Sequence, residues 1–186
     1  LIRTAALELP EGGAMLSSTL EHPASMSAMK KWAKNTQRNH IIVEHNDNSG
    51  SVDKQAYIKK LTSDVRVVSI VHTSPVTGMT VDLEKITKEV RNVTPDCIII
   101  VDGIQHSSHG AIDVQKYDID GYVVSPYKMF SRHGYGVAWA SDRLCTLNKE
   151  QLTGGPFQNW ELGTRDAGSY ATFSDVVDYL DWLGSN

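Results

Sequence analysis

Two short runs in this chain carry apolar residues without polar alternation. One is Ile98-Ile99-Ile100-Val101, opened by Cys97 and closed by a carboxylate, Asp102. The other runs from Gly121 to Ser125 and is followed closely by Lys128. A strand with one wet face alternates apolar and polar residues. A strand without alternation is buried on both faces, as in a parallel sheet covered by helices. The reading is therefore α/β: a three-layer α/β/α sandwich around a mostly parallel sheet. Ligands of such sheets gather at the carboxyl ends of the strands. Asp102, Gln105, Ser125 and Lys128 then share one rim, around one ligand.

The rest of the chain supplies the other layers. Leu1 to Leu9 reads as a helix, and Pro10-Glu11-Gly12-Gly13 as a turn. Ala14 to Leu20 reads as a strand ending at Glu21-His22. Pro23 suits the first turn of a helix, whose Met26, Met29, Trp32 and Ala33 recur on one face. His22 thus falls at a strand end just ahead of a helix, where a helix cap is the competing reading. His40 to His45 is a strand, and Ser51-Val52-Asp53 opens a helix through Leu61. Val65 to Val71 (VRVVSIV) is a buried strand. Leu83, Ile86 and Val90 mark the crossover helix that returns to the Cys97 strand. Phe173, Val176, Val177 and Leu180 mark a last helix over 166–183.

The rim has a coherent chemistry. Lysine forms a Schiff base with an aldehyde. A carboxylate at a strand end can pair with a protonated pyridinium nitrogen, which turns that ring into an electron sink. A serine beside the lysine can bond a phosphate, and a glutamine can bond a ring hydroxyl. Taken singly, the Asp reads equally as a turn or cap and the Lys as solvated surface. The ordered set, strand-Asp-x-x-Gln and then strand-Ser-x-x-Lys, is far less expected by chance. In Asp102-Gly103-Ile104-Gln105 and Ser125-Pro126-Tyr127-Lys128 the chain resembles the class V aminotransferase and cysteine desulfurase family of fold-type I enzymes, which depend on pyridoxal 5'-phosphate.

The resemblance spans nearly the whole chain and implies the following. Residues 1–186 are the cofactor-binding large domain, lacking the family's N-terminal phosphate loop and its C-terminal small domain. The sheet has one antiparallel strand, Val137 to Ala140. Lys128 carries the cofactor as a Schiff base and is the catalytic base. Asp102 pairs with the ring nitrogen, and Gln105 bonds the ring oxygen. His22 stacks on the ring and assists proton transfer. Ser125, Tyr127 and Thr164 hold the phosphate, with Thr164 reaching the partner subunit's cofactor, so the protein is a homodimer with shared active sites. Two positions depart from the family pattern. Pro75 stands where the family has an Asn that bonds the cofactor, and a proline has neither a side-chain donor nor an N–H. Tyr127 stands where the family has a His. These departures lean the reading toward transamination, epimerisation or related chemistry at Cα or Cβ of an amino-acid substrate. Cysteine desulfurase or selenocysteine lyase is the alternative, and a non-catalytic relative acting as a binding protein is the alternative of another class.

Composition narrows the field. A net charge of −4 gives no basic footprint for nucleic acid. No apolar run approaches the roughly 20 residues that span a bilayer. Two cysteines, Cys97 and Cys145, suggest no disulfide framework, which suits a cytoplasmic protein. A dinucleotide-binding domain would need Gly-x-Gly-x-x-Gly straight after its first strand. The nearest match, Gly134-Tyr135-Gly136, precedes a strand instead. His106 and His109 sit three apart, as two metal ligands can, but a solvated or interface role is favoured because the family has no metal.

Overall fold

The computed structural model describes residues 1–147, 160 and 166–185. Its six strands are β1 (Ala14–Ser18), β2 (Asn39–Val43), β3 (Val65–Val71), β4 (Ile98–Asp102), β5 (Gly121–Val124) and β6 (Val137–Ala140). They form one sheet in the order β2-β1-β3-β4-β5-β6. The first five are parallel, and β6 runs antiparallel to β5. The helices are α1 (Ile2–Glu8), α2 (Pro23–Asn35), α3 (Lys54–Ile58), α4 (Leu83–Val93), α5 (Asp142–Cys145) and α6 (Ala167–Ser185). Among the described residues no helix is long and apolar enough to cross a membrane.

The lack of alternation in the central strands has a direct cause. Side chains of successive strand residues point to opposite faces, and both faces are covered. Leu16, Val68, Ile70, Ile99 and Val101 pack with Tyr57 of α3 and with Leu83, Ile86 and Val90 of α4. Met15, Val67, Ile98 and Ile100 pack on the other side with Ala5 and Ala6 of α1, Met29 and Ala33 of α2, and Leu144 of α5. This is the three-layer α/β/α sandwich expected. At about 1.5–3 kcal/mol for each fully buried aliphatic side chain, the two layers together drive the fold.

Several elements are shorter than their sequence patterns, among them β1, which ends at Ser18 rather than Leu20. The helix expected through Leu61 is α3, capped by Asp53, whose Oδ1 accepts from the Ala56 N–H (2.8 Å). Leu61 still bonds back to the Tyr57 carbonyl (2.9 Å), so the helix ends in a hydrogen-bonded turn rather than continuing. The strand expected over 40–45 ends at Val43, because His45 turns aside to bond the Thr19 hydroxyl through Nδ1 (2.8 Å).

The amino ends of β4 and β5 are tied together by one buried acid. Asp120 is 2% exposed. Its Oδ2 accepts from Arg91 Nη2 (2.7 Å) and from the Ile99 N–H (2.8 Å), and its Oδ1 accepts from Ser141 Oγ (3.1 Å). Arg91 Nη1 also donates to the Cys97 carbonyl (2.6 Å). One carboxylate therefore joins α4, β4, the start of β5 and the start of α5. Removing one partner of such a pair leaves an uncompensated charge, and Asp120→Ala should lower unfolding stability by about 3–5 kcal/mol in urea titrations. Asp118→Ala, which removes a wet carboxylate 3.5 Å from Arg91 Nε, should cost under about 1 kcal/mol.

Candidate active site

Four parallel strands deliver their carboxyl ends to one cleft of about 220 Å³. The chain leaves β1 for β2 on one side, and β3 lies on the other side of β1. Connections that part in this way open a crevice at the carboxyl edge, the usual ligand site of an open α/β sheet. His22 comes from the end of β1, Asp102 and Gln105 from the end of β4, and Ser125, Tyr127 and Lys128 from the end of β5. All six line the cleft. The seventh expected site residue, Thr164, lies outside the described residues.

Asp102 is buried, 6% exposed, at β4's end of the cleft. Both its oxygens are held by neutral donors. Oδ2 accepts from Ser25 Oγ (2.9 Å), and Oδ1 accepts from the Ile104 N–H (3.1 Å). Among the described residues no cation pairs with it. A buried carboxylate normally has a cationic partner, and this one faces the cleft. A cationic ligand group in this cleft, whose walls include Val71, Ile104 and Val123, would give Asp102 the partner that the described residues do not supply.

Lys128 is half-buried on a 3-10 turn, Pro126–Met129, that follows β5 directly. Its Nζ donates to Gln105 Oε1 (2.7 Å). The Gln105 amide nitrogen in turn bonds His109 Nε2 (3.0 Å). The Asp-x-x-Gln and Ser-x-x-Lys motifs thus meet through side chains 23 positions apart. Phe130, in the left-handed region at φ 67, ends the turn.

His22 takes the helix-cap role at α2, with Nδ1 accepting from the Ala24 N–H (3.1 Å), and also faces the cleft. Tyr127 also lines the cleft, but its ring stacks on His133 at 4.3 Å and 17° and is 40% exposed. Pro75 lines the cleft too, so the departure at that position falls at the site itself. Ser25 was not singled out by the sequence. Its signal was its place in the first turn of α2, beside His22.

His106 is a correction. Of the solvated or interface role expected, the solvated part does not hold: His106 is buried and stacked face to face on His72 (3.5 Å between ring centres). His72 Nδ1 bonds the Tyr122 hydroxyl (2.8 Å), and His106 Nδ1 bonds Thr73 Oγ1 (2.9 Å). The stack sits behind the cleft wall that Thr73 forms. Gly103 makes room for Tyr122, because a Cβ there would collide with its ring. Burial above all, then the neighbouring His106, depress the His72 pKa to about 4. Neither cysteine is a cleft residue. Cys97 is buried at the far end of β4, where burial pushes its thiol up to about 11, and Cys145 lies on α5.

Comparison with known proteins places this geometry. The family model for aminotransferase class-V matches residues 1–172. A probable cysteine desulfurase of Mycoplasma genitalium is 29% identical over 135 residues, which cover 73% of this chain and 33% of that protein. The aminotransferase-like protein FGM3 of Gibberella zeae is 25% identical over 194 residues, covering 98% of this chain and 46% of that one. The chain thus spans less than half the length of the curated relatives it matches. The crystal structure of the Escherichia coli cysteine desulfurase CsdA superposes with a TM-score of 0.82 at 23% identity, over 97% of this chain and 49% of that one, which shows the shared fold.

The buried histidines carry a pH dependence. Between pH 6.5 and about 4 the unfolded chain binds a proton at residue 72 that the folded chain does not. Stability contributed by neutral His72 is therefore lost as pH falls through that window. His72→Gln should flatten this part of the acid limb in thermal melts. An unchanged limb would show that the imidazole titrates freely in the fold.

Proposed function

The chain belongs to the aminotransferase class-V family, and from that premise we propose that residues 1–186 form the cofactor-binding domain of a pyridoxal-phosphate-dependent enzyme acting on an amino acid. The observation that carries this reading is the buried Asp102, held by neutral donors alone and sharing a cleft with the Lys128 amine. The donor set fits the cofactor. The ring nitrogen, when protonated, is the cation Asp102 lacks. Val71, Ile104 and Val123 offer the apolar surroundings that suit an aromatic ring. Pyridoxal phosphate supplies an aldehyde with which an amine can condense, and an electron-poor ring that draws charge away from the substrate Cα.

The residues then divide the work. Asp102 would hold a protonated ring nitrogen, and Ser25 keeps Asp102 oriented. Lys128 Nζ moves the proton at Cα as general base. Gln105, which already holds Lys128 Nζ, orients that amine and replaces the donor absent at Pro75. His22 would hold the ring, with its own orientation fixed by the Ala24 N–H. The hydroxyls of Ser125 and Tyr127 would hold the phosphate, with Thr164 of a second copy joining them in a cytoplasmic homodimer with shared sites.

The leading reading is transamination, epimerisation or related chemistry at Cα or Cβ. Cysteine desulfuration is a second reading, favoured by the relatives that carry that name. That reaction needs an accessible nucleophilic thiolate. Cys97 does not qualify, since it is buried with its thiol pushed up to about 11. Cys97→Ala should therefore leave turnover unchanged on either reading.

The test is chemical. Borohydride reduction of the protein loaded with pyridoxal phosphate should leave a phosphopyridoxyl group on the peptide carrying Lys128, read by mass spectrometry. Lys128→Ala should lose that label, and turnover on amino acids should fall by about 10²–10⁴. Label on other lysines alone would refute the assignment. Keto acid or inverted amino acid as product supports the leading reading, whereas alanine and sulfide from cysteine support desulfuration.

A further inference from the structure

Behind the rim of the cleft lies a carboxyl group that the proposed chemistry does not use. Glu21 follows β1, immediately precedes His22, and is 5% exposed. Its Oε1 accepts from Ser18 Oγ (3.0 Å) and from the Val71 N–H (2.9 Å), and its Oε2 accepts from Ser69 Oγ (3.0 Å). β1 and β3 pair only as far as Leu16 and Val68. Beyond that point the strands part, and the Glu21 carboxyl bridges the gap with bonds to both. The gap is the crevice between the two strands whose connections leave in opposite directions. Val71 lines the cleft on one side of the bridge and His22 on the other.

The surroundings of Glu21 hold no cation among the described residues. Ser18 faces it from β1, Tyr57 from α3, Ser69 and the Val71 N–H from β3, and Asp102 from β4. Burial pushes its carboxyl up to about 7. The three hydrogen bonds hold it back, and the charge of Asp102 adds to the rise. Burial first, then the charge of Glu21, also raise the Tyr57 phenol. Two carboxyls that feel each other across a dry crevice must both act on any cation bound there.

We propose that Glu21 is a positioning residue: it braces β1 against β3 so that His22 and Val71 flank the cleft at a fixed separation, and its charge reinforces that of Asp102 on a bound cationic ring. The inference rests on the reading that pyridoxal phosphate occupies this cleft. Its two parts separate by substitution. A glutamine keeps the acceptor for the Val71 N–H and for Ser18 but carries no charge, so it mimics the protonated acid. An alanine removes brace and charge together.

The experiment compares the whole chain with its Glu21→Gln and Glu21→Ala variants. Dissociation constants for pyridoxal phosphate are measured by absorbance titration at about pH 6 and about pH 8, on either side of the Glu21 titration. Taking the ratio of variant to wild type at each pH cancels the cofactor's own titration. The Gln ratio should lie near one at the lower pH and rise about threefold or more at the higher one, and the Ala variant should bind about tenfold more weakly at both. Melts of ligand-free protein give an independent reading. The folded pKa lies above the ordinary carboxyl value of 4.5, so wild-type stability falls as pH rises from 4.5 to about 7. Glu21→Gln should therefore melt above wild type at about pH 8 and not at about pH 5. A Gln ratio that stays constant with pH, or an Ala variant that binds like wild type, overturns the proposal while leaving the cofactor reading intact. Wild-type protein that fails to bind pyridoxal phosphate overturns both.

Discussion

The structure turns on a carboxylate that has no counter-ion among the described residues. Asp102 ends β4, the strand between β3 and β5, and is held by a serine hydroxyl and a backbone N–H rather than by a cation. Removing a charge from water is costly, and neutral donors recover only part of that cost. A fold keeps such a group where a ligand completes it. The surrounding features follow from this requirement. Ser25 in the first turn of α2 fixes one oxygen, the turn after β4 fixes the other, and the Lys128 amine stands on the same cleft without forming the ion pair.

The two edges of the sheet divide stability from function. At the amino ends of β4 and β5, Asp120 has its cation in Arg91 and further donors in Ile99 and Ser141. At the carboxyl ends the acids, Asp102 and Glu21, are both buried and both held by neutral donors. Among the described residues the same sheet thus carries an ion-paired acid at one edge and two acids without an ion pair at the other. The paired acid fixes how the strands start, and the unpaired ones create an electrostatic demand at the crevice.

Much of this was legible in the sequence, because the strands and their ends are local signals. Ile98 to Val101 announced a strand buried on both faces, and the residues closing each run fell on the rim as their spacing required. Asp102, Gln105, Ser125, Tyr127, Lys128 and His22 share the cleft for that reason. What stayed hidden were the pairings between distant segments. Glu21 looked like the last polar residue of a strand, and nothing local reveals that Ser69 and Val71 reach it from 48 and 50 positions away. His106 read as a solvated or interface histidine, yet it stacks on His72 of another strand end. Nothing in the sequence singled out Arg91 or Asp120 as partners, 29 positions apart. Periodicity reports which face of an element is apolar, but it is silent on which polar groups meet once the elements pack.

The central claim is that Asp102 exists to hold a protonated ring nitrogen. Nitrogen NMR of the protein loaded with pyridoxal phosphate labelled at that atom tests it most directly. The account predicts a protonated ring nitrogen in the wild type at neutral pH and its loss in Asp102→Asn. A wild-type ring nitrogen that is neutral, or one whose signal ignores the substitution, would contradict the account.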